Sequence, residues 1–342
     1  MPIKGLHVAI FIIIIQWVVM SLTVAYFQTK RTESSSLKPF LPKKIEENKQ
    51  LKHEFNGVSV TLLIGSPKWF SRRFSIMINN MLTAVPSDSW GVQIFVTGQG
   101  TSKEGIDINI GLQRLIASSH GRVFLTMIPA EKVKLYGKKR YLYLTDPWFW
   151  NSIVADKVLM FSGNGAFCAN SHHTIHDFLH YDYIGIPWNY HGRLGGGGEY
   201  SIRSRRAMLA ALQFQAHNGN DKDDFFFVKT LLDMNKQNHD GNSFKIASAG
   251  DTQRFAGTKN FTEMFHTYKT TKSWEVVGPP FVVQGTLPNL EHEIREAFLA
   301  LCPELKTIFP VLHSPHCFGA HPKAEECAKS ICALQDNKSG GC

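Results

Sequence analysis

The chain has 342 residues, of which 43% are hydrophobic and 19% charged. This balance excludes a mostly disordered chain and a long coiled coil, and the length is ample for a large core. Lys and Arg (37) exceed Asp and Glu (28), a formal charge of +9 that admits nucleic acid, a phosphorylated small molecule or a membrane surface as partners. The sequence carries neither a basic stripe with interleaved aromatics nor a nucleic-acid module, so no nucleic acid is expected.

The first element is an apolar run, Leu6 to Phe27, free of Asp, Glu, Lys and Arg. At about 22 residues it is long enough to span a bilayer as a helix. It exceeds the apolar core of a cleaved signal peptide and ends in Ala25-Tyr26-Phe27, a poor cleavage context. The expectation is a signal-anchor after a short cytoplasmic segment, residues 1–5. Flanking charge argues for a cytoplasmic body, because Lys30, Arg31, Lys38, Lys43 and Lys44 follow the run and only Lys4 precedes it. Two glycosylation sequons, at Asn260 and Asn337, and the clustered cysteines argue for a lumenal one. The expected topology is single-pass type II in the Golgi or endoplasmic reticulum, with the body facing the lumen.

Residues 28–56 are polar, rich in Lys and Glu and broken by Pro39 and Pro42, a stem or linker. Apolar runs then alternate with helical stretches. Val58 to Gly65 reads as a strand, Phe70 to Leu82 as a helix, Gly91 to Thr97 as a strand and Gly111 to Ser118 as a helix. Arg122 to Ile128 is a third strand, Thr145 to Ile153 an aromatic turn or short helix, and Lys157 to Phe161 a fourth strand. This alternation predicts an α/β fold with a mainly parallel sheet and helices on both faces. Ligands of such sheets bind beyond the carboxyl ends of the strands. Five of the six cysteines, Cys302, Cys317, Cys327, Cys332 and Cys342, crowd the carboxyl terminus, while Cys168 stands apart. In an oxidising lumen the late group reads as a disulfide-stapled tail over residues 311–342. The competing reading is zinc held by His313, His316, Cys317, His321 and Cys327, which lack the paired spacing of common zinc sites.

The segment from Lys157 to Val228 carries the chemistry. Gly195 to Gly198 lets a ligand or another chain segment approach the backbone closely. Glu199 to Arg203 reads as a strand, and Ser204 as the cap of a helix from Arg205 to about Ala216. Asp221, Asp223 and Asp224 precede the run Phe225 to Phe227. Such carboxylates either serve a pocket rim as base or sugar-binding groups, or simply favour a helix amino terminus. His172, His173 and His176 read as a polar loop before a metal site.

Taken in order, Phe161, Cys168, the stretch Asp182 to Trp188 (DYIGIPW), Gly197 to Ser204 (GGEYSIRS) and Asp223 to Phe226 resemble a family known as domain of unknown function 5672. Its members look like GT-A glycosyltransferases, and the resemblance spans roughly Val58 to Pro310. It implies a single GT-A-like (Rossmann-like) domain over residues 57–310. The implied activity is sugar transfer from a nucleotide-sugar donor to a carbohydrate-bearing glycan, protein or lipid acceptor. Asp223 or Asp224 would then deprotonate the acceptor, and Asp182, Trp188, Gly196, Gly197 and Gly198 would line its site.

On the donor side the resemblance implies an Asp-x-Asp-type element holding Mn²⁺ or Mg²⁺. Here the corresponding stretch is Phe161-Ser162-Gly163-Asn164, so Ser162 and Asn164 face the donor and Asn164 can offer a cation only a neutral oxygen. Either Asp156 or Asp182 compensates, or the cation is dispensable, or the chain no longer catalyses. The alternative function is therefore a catalytically degenerate lumenal carbohydrate-binding or scaffolding protein. Arg72 and Arg73, with Lys68, Lys138, Lys139 and Arg140, are basic residues that can neutralise a diphosphate instead.

Overall fold

Strand β1 (Gly57–Leu63) is buried along its whole length, as a central strand covered on both faces must be. It pairs in parallel with β2 (Trp90–Thr97) on one side and with β4 (Lys157–Met160) on the other, and β2 pairs in parallel with β3 (Val123–Ile128). Next to β4 lies β7 (Gly197–Ser204), running antiparallel, and at the edge β6 (Tyr183–Ile186) runs antiparallel to β7. The order β3-β2-β1-β4-β7-β6 is thus a mixed sheet in which β7 alone is reversed. A smaller sheet joins β5 (Gly165–Phe167), β9 (Val282–Gln284) and β8 (Ala256–Gly257) in that order. The computed structural model describes residues 55–64, 72–98, 109–163, 165–188, 194–237, 243–257, 279–284 and 299–308.

Alternation of side chains along each strand divides the interior into two cores. On one face Ile94, Val96, Leu159, Phe161, Tyr200 and Ile202 meet Phe74, Met77, Ile78 and Met81 of α1 (Arg72–Ala84) and Leu112 of α2 (Ile110–Ser118). The same face carries the small sheet and α8 (Ala249–Phe255). On the other face Val58, Val60, Phe95, Val158, Met160 and Tyr183 meet α4 (Arg140–Leu144), α5 (Pro147–Asn151), α6 (Arg205–Phe214) and α7 (Asp223–Gln237). Ahead of these helices comes α3 (Ala130–Tyr136), whose Val133 and Tyr136 pack on the same core. The alternating strands and helices expected from the sequence are therefore present as an α/β fold with helices on both faces.

Local signals place the helix starts. The Asn109 side chain accepts from the Leu112 N–H at 3.0 Å at α2, and Asp146 accepts from the Trp148 N–H at 2.8 Å just before Pro147 opens α5. The Ser204 hydroxyl accepts from the Ala207 N–H at 3.3 Å, the cap expected for α6. The run Gly195 to Gly198 is packed against its own chain. Gly196 has φ +89°, and a Cβ there would stand 2.5 Å from the Ile186 carbonyl oxygen. Of the two uses open to these glycines, close approach of another chain segment is the one the fold employs.

The cysteine pattern needs a correction. Cys168, which stands apart in sequence, is bonded to Cys302, so Cys302 belongs to the folded body and not to a self-contained tail. The bridge joins the end of β5 to the segment that precedes α9 (Glu304–Ile308), and the Asn170 side chain donates to the Leu301 carbonyl at 2.8 Å beside it. Cys317, Cys327, Cys332 and Cys342, the candidate zinc ligands, the sequons at Asn260 and Asn337, and the apolar run Leu6 to Phe27 lie outside the described residues. Among the described residues no helix is long and apolar enough to cross a membrane.

The Cys168–Cys302 bridge closes a loop with a sequence separation of 134 residues. Replacing both cysteines by Ser is expected to lower unfolding stability by about 2–5 kcal/mol. Urea titration of the double variant beside wild type measures it, and reductant should destabilise wild type alone.

Candidate active site

Residues Gly197 to Ser204 form β7, but its ladder to β6 is irregular. Gly185 pairs with Ser201 while Ile186 pairs with Gly197, so Gly198, Glu199 and Tyr200 bulge between them. A bulge of this kind strands backbone polar groups and re-aims side chains. It falls at the end of β7 that lies beside the carboxyl end of β4, since Met160 pairs with Ser201. This is the end of the sheet where ligands of open α/β folds bind.

The stranded groups are taken up by charged side chains. The Gly198 N–H donates to Asp224 Oδ2 at 3.1 Å. The Gly198 carbonyl accepts from Arg203 Nη2 and from the Ser201 hydroxyl, each at 3.2 Å. Arg203 is fully buried, and its Nη2 also donates to Asp223 Oδ2 at 2.7 Å while its Nε donates to the Ser201 hydroxyl at 2.9 Å. The guanidinium lies over the rings of Tyr183 at 5.1 Å, Phe227 at 5.7 Å and Trp150 at 5.9 Å. Aromatic faces and a paired carboxylate together make a buried cation tenable. Gly198 is required here by space, because a Cβ would stand 2.2 Å from Arg203 Nη2.

Asp223 and Asp224 open α7, as the helix-start reading expects. Their environments differ. Asp223 is paired with Arg203, whereas Asp224 has no cation bonded to it among the described residues. Burial, reinforced by the neighbouring charge of Asp223, raises the Asp224 carboxyl above the usual range, against the N–H groups of Phe225 and Gly198 and the charge of Arg203. A Cβ built on Gly197 would lie 3.5 Å from Trp188 Nε1 and 3.6 Å from Asp224 Oδ2, so the indole N–H and the carboxylate flank the same bare stretch of backbone. The group can accept a proton from a ligand hydroxyl, with a donor close by to orient that ligand.

Of the residues singled out in the sequence, Asp223, Asp224, Trp188, Gly196, Gly197 and Gly198 come together. Ser162 adjoins them, its carbonyl accepting from the buried Tyr200 hydroxyl at 2.5 Å where the chain leaves β4. Arg72 and Arg73 are the first residues of α1, and their side chains, like all of Asn164, lie outside the described residues. Asp182 is a correction. It starts β6 at the opposite end of the sheet, where its carboxylate accepts from the Lys245 N–H at 2.9 Å and its carbonyl from the Ser204 N–H at 2.9 Å. Asp156 sits at that same far end, accepting from the Arg206 N–H at 2.8 Å and from the Ser204 hydroxyl. Both lie at the end of β7 away from Asp224. His173 packs edge-on to Phe178. Among the described residues no group of three His, Cys, Asp or Glu side chains could hold a metal ion.

Arg203 is the residue that the sequence did not single out. It sat inside a predicted strand, and Arg140, named there only as a basic residue, joins the same cluster. Residues 131–274 match the model of a family described as Protein of unknown function (DUF5672). That span is narrower than the resemblance read from the sequence, yet it holds the whole cluster from Arg140 to Asp224. No curated protein matches the chain.

Asp223→Asn leaves the Arg203 charge buried without its counter-ion and is expected to cost about 3–5 kcal/mol. Tyr183→Phe removes a buried hydroxyl that has no partner and should leave stability unchanged or raise it by up to about 1 kcal/mol. Chemical denaturation of the two variants checks both signs.

Proposed function

We propose that this protein transfers a sugar from a nucleotide-sugar donor to a hydroxyl of a glycan, protein or lipid acceptor in the secretory pathway. The observation that carries the reading is Asp224, a carboxylate with a raised pKa at the carboxyl end of a mainly parallel sheet, beside the Trp188 indole N–H and the Gly197 backbone. A base is most effective when its pKa approaches the working pH, and burial moves Asp224 in that direction. In the transfer step the acceptor oxygen forms a bond to the anomeric carbon, and the bond from that carbon to the donor phosphate breaks. The acceptor proton passes to Asp224, and the nucleoside diphosphate leaves. Trp188 supplies an indole N–H and an apolar ring against which a sugar can lie.

A lumenal location is supported by the Cys168–Cys302 bridge, which suits an oxidising compartment. The long apolar run at the amino terminus supports a type II anchor in the Golgi or endoplasmic reticulum. The donor set at this site does not make a cation cage: Asp223 is occupied by Arg203, and Asp224 accepts from two backbone N–H groups. No step here is therefore routed through a divalent ion. The same engagement of both Asp224 oxygens favours a second reading, a carbohydrate-binding protein that keeps the fold without turnover.

The test is a donor panel with the purified full chain. Wild type is expected to release nucleoside diphosphate in the presence of one donor, with an acid limb lying above the ordinary carboxylate range. Asp224→Asn is expected to abolish release while remaining folded. No release with any donor, nucleotide binding notwithstanding, would favour the carbohydrate-binding reading.

Stability against pH tests the protonation of Asp224 independently. A carboxyl whose folded pKa is raised contributes stability that is complete below its unfolded pKa and is lost as pH rises through the folded one. The stability of Asp224→Asn relative to wild type should therefore increase with pH across that window, which thermal melts at stepped pH can follow.

A further inference from the structure

Arg140 opens α4, which packs against α7, the helix that begins with Asp223 and Asp224. Lys138 and Lys139 beside it in sequence are exposed, whereas Arg140 turns inward. Its Nε and Nη2 are enclosed by protein and have no hydrogen-bond partner, although the residue keeps partial exposure to solvent. Arg122 and Arg205, also half-buried, do not share this state. Arg122 donates to the carbonyls of Trp90 at 2.8 Å and Pro86 at 3.0 Å, and Arg205 to that of Trp150 at 2.7 Å.

The carboxylates that influence Arg140 are Asp223 and Glu199. Asp223 already carries Arg203, and Glu199 accepts from the Gln284 side chain. Arg203 adds a second cation nearby, and it too has an enclosed nitrogen, Nη1, without a partner. Burying a guanidinium with its donors unmade costs free energy that folding alone does not recover. An entering oxyanion would recover it, and the planar fork of Arg suits the paired oxygens of a phosphate or carboxylate.

We propose that Arg140 is an oxyanion-binding residue of this site, receiving the phosphate or carboxylate oxygens of the ligand. The inference rests on the reading of the Asp224 cluster as a ligand site, and it names the charge that the ligand brings. The anion is either the diphosphate of a nucleotide or the carboxylate of an acidic sugar. Arg140 can thereby neutralise the anion without the cation that a carboxylate in place of Asn164 would hold.

Calorimetric titration of the full chain with pyrophosphate, UDP, GDP and glucuronate, for wild type, Arg140→Gln and Arg140→Lys, provides the test. At least one anion should bind wild type, and Arg140→Gln should weaken it about 10–100-fold, with partial recovery in Arg140→Lys. Binding should weaken with added salt. The ligand-free Arg140→Gln variant should melt no lower than wild type, because it relieves an unpaired buried charge. Equal affinity of wild type and Arg140→Gln for a nucleoside diphosphate would overturn the inference and leave the donor reading standing. Arg140-dependent binding of glucuronate alone would keep the inference and remove the nucleotide donor. Failure of wild type to bind any of the four, or a melting point several degrees lower in Arg140→Gln, would overturn the inference.

Discussion

The buried pair between Arg203 and Asp223 is the constraint on which the site depends. A bulge in β7 leaves the Gly198 N–H and carbonyl without ladder partners, and a buried backbone group cannot remain so. The carbonyl is taken by Arg203, which must then be neutralised, and Asp223 supplies the charge. The N–H is taken by Asp224. One irregularity in one strand thus dictates where α7 begins and which two carboxylates stand at the sheet's carboxyl end. The cage of Trp150, Tyr183 and Phe227 couples that arrangement to the core formed by α5, β6 and α7.

The two aspartates divide their work because their surroundings differ. Asp223 is paired with the buried Arg203, whose Nη2 donates to its carboxylate. Asp224 meets burial and a like charge, which raise its carboxyl above the usual range against two backbone N–H groups and the charge of Arg203. Adjacent residues on one helix turn therefore stand in different surroundings, one in an ion pair and one without it. Arg140 and Nη1 of Arg203 add unfulfilled hydrogen-bond donors to the same neighbourhood, so the site combines a raised carboxyl with free guanidinium capacity. Such tension is stored in the fold and can be released by a ligand bearing both hydroxyl and oxyanion.

Most strands and helices of the fold were legible because their signals are local. The largely apolar β1 and β2 and the capping residue Ser204 act within a few residues of themselves. The small sheet was not legible, since β5, β8 and β9 are two or three residues each and gain their identity from pairing across long separations. Asp182 misled for a related reason. Its place in DYIGIPW, near Trp188, implies nearness to Asp224, but the strand between carries the two ends of that motif to opposite ends of the sheet.

The sequence by itself determined an α/β chain with helices on both faces, a glycine run needed for close approach, and an acidic pair at a helix start. Periodicity, capping and the absence of a Cβ are properties of single residues and their immediate neighbours. Only the tertiary structure decided that the glycines admit β6 and Arg203, that Cys168 bonds Cys302, and that burial raises the Asp224 carboxyl. Those outcomes depend on burial and on charges brought together from β7, α7 and α4, and burial has no counterpart in residue order.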